Sequence, residues 1–116
     1  MITALSAHDI RSNCWKSQLE NMLKATERLY VSIDIDVQNP DVAPGTSFTI
    51  PYGLSLGHVL DILAFLRQYP LLGADIVEFN PLLDKNNQTL VVASEVLAAL
   101  VTSLCKGEEN ESTACH

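Results

Sequence analysis

Hydrophobic residues along this chain are spaced in two different ways. In three stretches they recur every three or four residues, which is typical of one face of a helix, and in two short runs β-branched residues dominate, which is typical of buried strands. In chain order the pattern predicts a helix, a strand, a helix, a strand and a helix, at residues 13–28, 29–35, 55–68, 71–79 and 89–107. This alternation predicts an α/β fold whose strands are parallel and joined by right-handed crossovers.

The predicted sheet has too few strands to stand alone. Parallel sheets bury both faces and normally contain several strands, whereas a lone pair leaves open, apolar edges. We therefore expect the chain to be an incomplete part of a larger α/β sheet. In isolation it is expected to aggregate or to form homo-oligomers.

A long loop follows the first predicted strand, at residues 36–53. It carries five residues that break helices and strands: Pro40, Pro44, Gly45, Pro51 and Gly53. These residues predict a loop without regular secondary structure. Long ordered loops in compact domains are usually functional, so this segment is a candidate part of a site.

Composition and charge narrow the classes of function. The 116 residues allow one domain, and a hydrophobic fraction of 47% with 18% charged residues excludes a wholly disordered chain. The net charge is −7 and the seven Lys and Arg residues are scattered, so we expect no nucleic-acid binding. Cys14, Cys105 and Cys115 form no C-x-x-C pair, which favours reduced thiols over a disulfide framework or a zinc site.

The sequence divides into an α/β domain at residues 1–106 and an acidic disordered tail at residues 107–116. The apolar stretch at residues 90–104 contains polar residues and is shorter than a bilayer span. The N-terminus lacks the basic start and apolar run of a signal peptide. We therefore expect no membrane segment and a cytoplasmic location.

Three carboxylates are predicted to meet at one edge of the sheet. Asp34 and Asp36 end the first strand, and Glu78 lies near the end of the second. On a regular strand Asp34 and Asp36 would project from one face, and the carboxyl ends of parallel strands share the edge where α/β folds bind ligands. Clustered carboxylates suit divalent cations such as Mg²⁺ or Mn²⁺. A D-x-D pair alone is more often a cap or a loop hydrogen-bonding group, and Glu78 alone could cap the next turn.

Two segments around these carboxylates carry a resemblance to a known family. "SIDIDVQNPDVAPGT" resembles the signature S-x-D-x-D-x-x-D-P-x-x-A-P-G-T of the ureohydrolases, which comprise arginases, agmatinases and formimidoylglutamases, and "ADIVEFNPLLD" resembles their D-I-V-E-x-N-P block. The resemblance implies an arginase-like, three-layer α/β/α hydrolase with a binuclear Mn²⁺ centre. It further implies that Asp34 and Asp36 ligate the metals and that Glu78 binds the cationic guanidinium or amidine of the substrate. It implies no organic cofactor.

The chain departs from the family pattern in its first part. The further metal-binding histidine and the D-x-H-x-D block expected upstream are absent, and His8 in "SAHDI" lacks the flanking aspartates, so we expect His8 to be an ordinary loop or strand-end residue. Asn39 stands where the family usually has aspartate. The serine after "PGT" is more typical of formimidoylglutamases.

We therefore interpret the chain as the C-terminal portion of a manganese-dependent ureohydrolase that cleaves a C–N bond of a small guanidino or formimino substrate. A formimidoylglutamase-like activity is favoured slightly over agmatinase or arginase, and this chain alone is expected to be inactive. The alternative is a truncated, non-catalytic interaction or structural protein. A magnesium site for phosphoryl transfer has less support, because the sequence has no glycine-rich phosphate loop.

Overall fold

The computed structural model describes the backbone of residues 3–114 and the side chains of residues 3–105. Helices and strands follow one another as α1 (Ala7–Arg11), α2 (Trp15–Leu23), β1 (Leu29–Asp34), α3 (Leu56–Leu66), β2 (Leu71–Val77) and α4 (Gln88–Ala114). A short 3₁₀ helix comes after each strand, at Ile35–Val37 and Pro81–Leu83. The predicted order of elements is confirmed, and α1 is an additional helix that the hydrophobic spacing did not predict.

The two strands pair in parallel, as predicted. The pairing is regular from Val31, which lies opposite Ala74, to Asp34, which lies opposite Val77. Both strands therefore end at the same edge of the sheet. Within the described residues this sheet has two strands, so the α/β architecture is the incomplete one that the sequence predicts.

The core forms where α3, α4 and the sheet meet. From α4 it takes Val92, Val96 and Leu100, which lie on one helix face and are 6%, 0% and 2% exposed. From α3 it takes Val59 and Leu63. Burial of one such side chain contributes about 1.5–3 kcal/mol, so this helical layer supplies much of the stability of the fold.

Helix α4 continues past the end that the sequence predicts. Its backbone is helical to Ala114, so the predicted end at Lys106 and Gly107 is wrong. A glycine inside a helix costs about 1 kcal/mol relative to alanine, and the three glutamates that follow Gly107 favour the helix. The division into a domain and an acidic tail stays a prediction, because residues 115 and 116 and the side chains beyond residue 105 lie outside what the structure describes.

One segment of α4, Gln88–Cys105, is apolar and long enough to cross a membrane on length and composition alone. This segment begins two residues before the stretch at residues 90–104 and ends one residue after it, so its length does not exclude a span. The finding is weak support for a membrane span, because the core helix of a soluble protein passes the same test. One face of this segment lies in the core, with Val96 and Leu100 buried. The absence of a membrane segment stays a prediction.

Candidate functional site

Strand β1 ends in a tight turn that is built by Asp34. The Asp34 carboxylate accepts a hydrogen bond from the backbone N–H of Asp36 at 3.1 Å and so caps the 3₁₀ helix Ile35–Val37. Ile35, the first residue of the 3₁₀ helix, is completely buried. The expectation that Asp34 and Asp36 project from one face of a regular strand is therefore wrong, because the turn begins directly after Asp34.

The turn nevertheless keeps Asp36 close to other negative charges. Burial raises the pKa of Asp36, and the hydrogen bond with Asp34, the charge of Asp34 and the charge of Glu78 raise it further. The charges of Asp34 and Glu78 therefore act on the carboxyl group of Asp36. Asp34 and Glu78 thus lie at the carboxyl edge of the sheet, as the order of the strands predicts, and the role of the three carboxylates as one site stays a prediction.

Glu78 lies in an unusual backbone conformation. It follows Val77, the partner of Asp34 at the end of β2, and has a φ of 68°, in the left-handed region. This region costs a residue with a side chain about 1–2 kcal/mol. Such strain is kept only where neighbouring contacts impose it, and it is frequent at functional sites.

The loop after Asp36 is fixed against α4 at Gly45. The Gly45 N–H donates to the hydroxyl of Thr89 at 2.7 Å, and the Gly45 carbonyl accepts from the backbone N–H of Asn80 at 2.7 Å. A Cβ atom at Gly45 would lie 2.9 Å from Thr89 Oγ1 and 3.1 Å from Asp84 Cβ, so a side chain has no room there. The segment that follows Glu78 is thereby tied to the loop that follows Asp36.

Backbone hydrogen bonds and a second close contact hold the two ends of the same loop together. The N–H of Leu54 donates to the carbonyl of Val37, and the N–H of Asn39 donates to the carbonyl of Leu54, each at 2.9 Å. A Cβ atom at Gly53 would lie 2.6 Å from backbone atoms of Gln38 and Asn39. The prediction of an irregular, ordered loop is therefore confirmed.

A pocket of about 250 Å³ lies beside β1 and α3, next to the first carboxylate. Its wall includes Asp34, Val37, Leu54 and Ile62, and most of it is apolar. Among the described residues, neither Asp36 nor Glu78 lines it. The pocket therefore reaches the edge of the candidate site and does not enclose the three carboxylates.

A complete metal-binding set is not assembled by the described part of the chain. Within residues 3–105, no group of three or more His, Cys, Asp and Glu side chains is arranged to hold a metal ion. The ring of His58 accepts a hydrogen bond from the N–H of Ser55 at 3.3 Å and so belongs to the cap of α3, while His8 is exposed on α1. Asp34 and Asp36 are thus candidate ligands without a full set of partners in these residues.

One polar cluster near the site was missed by the sequence analysis. Tyr30 donates its hydroxyl hydrogen to Asp75 Oδ2 at 2.7 Å, and Ser32 donates to Asp75 Oδ1 at 2.5 Å. These bonds, first that of Ser32 and then that of Tyr30, lower the pKa of Asp75. The available signal was the presence of polar residues at matching positions within two otherwise apolar strands.

Comparison with known proteins places these features in a family. A model described as "Arginase family" matches residues 1–102. This chain belongs to the arginase family. The resemblance inferred from the two motifs is thereby confirmed, and the α/β fold is part of an arginase-like fold.

Two curated relatives of this arginase-family chain have different names. This chain is 39% identical over 94 residues to mitochondrial arginase 1 from Arabidopsis thaliana. The match covers 78% of this chain and 27% of that protein. This chain is also 36% identical over 104 residues to formimidoylglutamase from Hahella chejuensis. That match covers 82% of this chain and 32% of that protein. The chain therefore spans between about a quarter and a third of the length of these relatives.

A solved structure supports the fold. A hypothetical agmatinase from Burkholderia thailandensis superposes with a TM-score of 0.84 at 29% identity, covering 94% of this chain and 36% of that one. Nearly all of this arginase-family chain thus matches a segment of a larger arginase-fold protein.

Proposed function

We propose that this chain is the C-terminal portion of a manganese-dependent ureohydrolase that hydrolyses a C–N bond of a small guanidino or formimino substrate. The observation that carries the proposal is that β1 and β2 are parallel and end side by side, with Asp34 opposite Val77 and Glu78 directly after it. Membership of the arginase family supports the hydrolase chemistry.

The donor set fits a divalent metal in part. Carboxylate oxygens are the hard ligands that Mn²⁺ prefers, and a cation between Asp34 and Asp36 would offset the repulsion between their negative charges. Two aspartates leave most of the coordination shell to other groups. When bound, the metal pair supplies an activated water as the nucleophile. Because the described residues do not complete the shell, we propose that this chain alone has no turnover.

Glu78 has the chemistry to bind the substrate cation. A carboxylate accepts strong, charge-assisted hydrogen bonds from the planar N–H groups of a guanidinium or an amidinium. The strained backbone of Glu78 holds this carboxylate within electrostatic reach of Asp36. In the proposal Glu78 orients the cation while the aspartates hold the metal.

One motif favours a particular substrate within this class. The serine that follows "PGT" favours a formimidoylglutamase-like substrate slightly over agmatine or arginine. We further propose that the chain forms homo-oligomers or aggregates through its open sheet, binds neither nucleic acid nor membranes, and is cytoplasmic. The open sheet and the scattered basic residues support these points.

Metal binding by the purified chain tests the proposal. Titration with MnCl₂, followed by the electron paramagnetic resonance of free Mn²⁺, should show binding by the natural chain and strongly reduced binding by the double variant Asp34→Asn, Asp36→Asn. Asp41→Asn is the matched control, because Asp41 is an exposed aspartate of the same loop. The absence of Mn²⁺ binding by the natural chain would contradict the metal assignment.

A turnover assay tests the second part of the proposal. With Mn²⁺ and arginine, agmatine or formiminoglutamate, the isolated chain should release no urea, ammonia or formamide above the level of the double variant. Manganese-dependent release by the chain alone would show that its site is complete and would overturn the assignment of an inactive portion.

A further inference from the structure

The cluster of Tyr30, Ser32 and Asp75 bridges the two strands on one face of the sheet. Ser32 and Asp75 lie opposite each other in the strand pairing. Tyr30 lies two residues before Ser32, on the same face of β1. Both hydroxyl groups donate to the one carboxylate of Asp75, at 2.7 Å from Tyr30 and 2.5 Å from Ser32. Two residues farther along, Asp34 lies opposite Val77, and Glu78 follows.

Gly73 allows the Tyr30 ring to reach Asp75. A Cβ atom at Gly73 would lie 3.2 Å and 3.4 Å from Tyr30 Cε2 and Cδ2, so the ring packs directly over the glycine. Gly73 is the pairing partner of Tyr30, and Asp75 comes two residues later on the same side of β2. The tyrosine therefore lies across β2 with its hydroxyl next to the carboxylate.

The pairing of β1 with β2 is irregular just before this cluster. Leu29 pairs with Leu71, but Tyr30 pairs with Gly73, so β2 has one extra residue, Leu72, at the start of the sheet. Pairing before this bulge does not fix the pairing after it. The contacts after the bulge must therefore set the register of the segments that lead to Asp34 and Glu78.

A change of register would displace the candidate site. A slip by one residue moves β2 by about 3.3 Å along β1 and turns its side chains to the other face. The Asp75 carboxylate would then lose both hydroxyl partners, and Glu78 would no longer follow the residue opposite Asp34. Among registers one residue apart, the observed one is therefore the register in which Asp75 has both hydroxyl partners.

We propose that Tyr30, Ser32 and Asp75 form a register clamp, which positions Glu78 relative to Asp34 and Asp36. Its consequence for metal binding rests on the function proposed above, whereas its effect on the strands does not. The three residues are positioning residues, since they act through the alignment of β1 and β2.

Hydrogen exchange followed by mass spectrometry tests the clamp without a metal. In the double variant Tyr30→Phe, Ser32→Ala, peptides that cover β1 and β2 should exchange about tenfold faster, because the two hydrogen bonds to a charged group are lost. Peptides from Gln88–Cys105 in α4 should exchange at the natural rate. The variant Tyr30→Phe, Ser32→Thr keeps one hydroxyl and should recover part of the protection.

Matched controls separate the clamp from general effects of the substitutions. Tyr69→Phe removes a tyrosine hydroxyl from the turn after α3, where the ring packs 6.4 Å from Phe65. Asp61→Ala removes a carboxylate from the exposed side of α3 and is the control for Asp75→Ala. Both controls should leave the exchange of β1 and β2 unchanged.

The outcomes distinguish the clamp from the proposed function. Unchanged exchange in β1 and β2 would overturn the clamp, and equally faster exchange in α4 would show a general loss of stability, which also overturns it. If exchange rises only in the strands and the affinity for MnCl₂ falls several-fold with Asp34 and Asp36 intact, the whole proposal holds. If exchange rises only in the strands and the natural chain binds no Mn²⁺, the clamp holds and the proposed function fails.

Discussion

The helical layer of α3 and α4 and the edge where β1 and β2 end are held by different physical forces. In the helical layer, Val96 and Leu100 are almost completely buried and follow regular helical spacing. At the edge, burial and then the nearby charges of Asp34 and Glu78 raise the pKa of Asp36, and Glu78 has a left-handed backbone. The first region gains free energy from burial, whereas the second holds repulsion and strain that its surroundings maintain. Stability and the candidate site are therefore expected to respond to different substitutions.

The largest effect is expected from the helical layer. Leu100→Ala removes a side chain that is 2% exposed and should lower the free energy of unfolding by about 2–5 kcal/mol. Leu97→Ala is the matched control on the same helix, where the side chain is 54% exposed, and should change it by less than about 0.5 kcal/mol. Denaturant unfolding measures both. A comparable loss in Leu97→Ala would mean that the exposed face of α4 is buried in an assembly.

The loop that connects the two regions should give the next largest effect. Gly53→Ala places a Cβ atom 2.6 Å from backbone atoms of Gln38 and Asn39 and should destabilise the chain by about 1–3 kcal/mol. Gly57→Ala is the control, because the nearest atom, Ser55 Oγ, lies 3.7 Å away and alanine favours helix α3. If unfolding experiments show equal stability for the two variants, the close approach at Gly53 does not constrain the loop.

Hydrophobic spacing predicts the helical layer and the strands, but it does not predict how the edge is built. The burial of Val96 and Leu100 follows from a local period of three to four residues. The contact of Gly45 with Thr89 and Asn80 joins residues that are distant in the chain, and no local pattern encodes it. Likewise the alternation of apolar residues continues through Ile35 and does not reveal the turn that Asp34 caps directly after β1.

The order of the strands predicts which carboxylates lie at the site, and the two motifs add the roles that the resemblance implies. Asp34, Asp36 and Glu78 are predicted from their positions at the ends of two parallel strands, and the structure pairs these strands in parallel. Their roles stay predictions, since the described residues hold no complete metal-binding set. The hydrogen bonds of Asp75 to Tyr30 and Ser32 depend on strand register, which the two blocks do not specify.

A smaller effect is expected from pH at the junction between the loop and α4. Desolvation raises the pKa of Asp84, but hydrogen bonds from Thr89 and from the N–H groups of Leu90 and Lys85 together hold it below its usual value of 3.8. A carboxylate with a lowered folded-state pKa contributes stability above its unfolded-state pKa, and this contribution is lost as the pH falls through the folded-state pKa. Acid should therefore weaken the start of α4.

The variant Asp84→Asn isolates this contribution. Between pH 6 and pH 3 the unfolding midpoint of the natural chain should fall more than that of the variant, because asparagine keeps an acceptor oxygen but does not titrate. The raised pKa of Asp36 acts with the opposite sign in both proteins, so it cancels in the difference. Parallel pH profiles would show that the hydrogen bonds of Asp84 contribute nothing to stability.

The smallest effect has the opposite sign and belongs to the edge. Glu78→Gly should stabilise the chain by up to about 1 kcal/mol, because glycine adopts a φ of 68° without steric cost, although it also loses more backbone entropy on folding. Phe79→Gly is the control, since Phe79 lies outside the left-handed region, and it should destabilise. Denaturant unfolding without metal measures both. If only Glu78→Gly raises the free energy of unfolding, the carboxylate is kept at a cost in stability, as a substrate-binding group would be. If Glu78→Gly lowers the free energy of unfolding, Glu78 stabilises the edge.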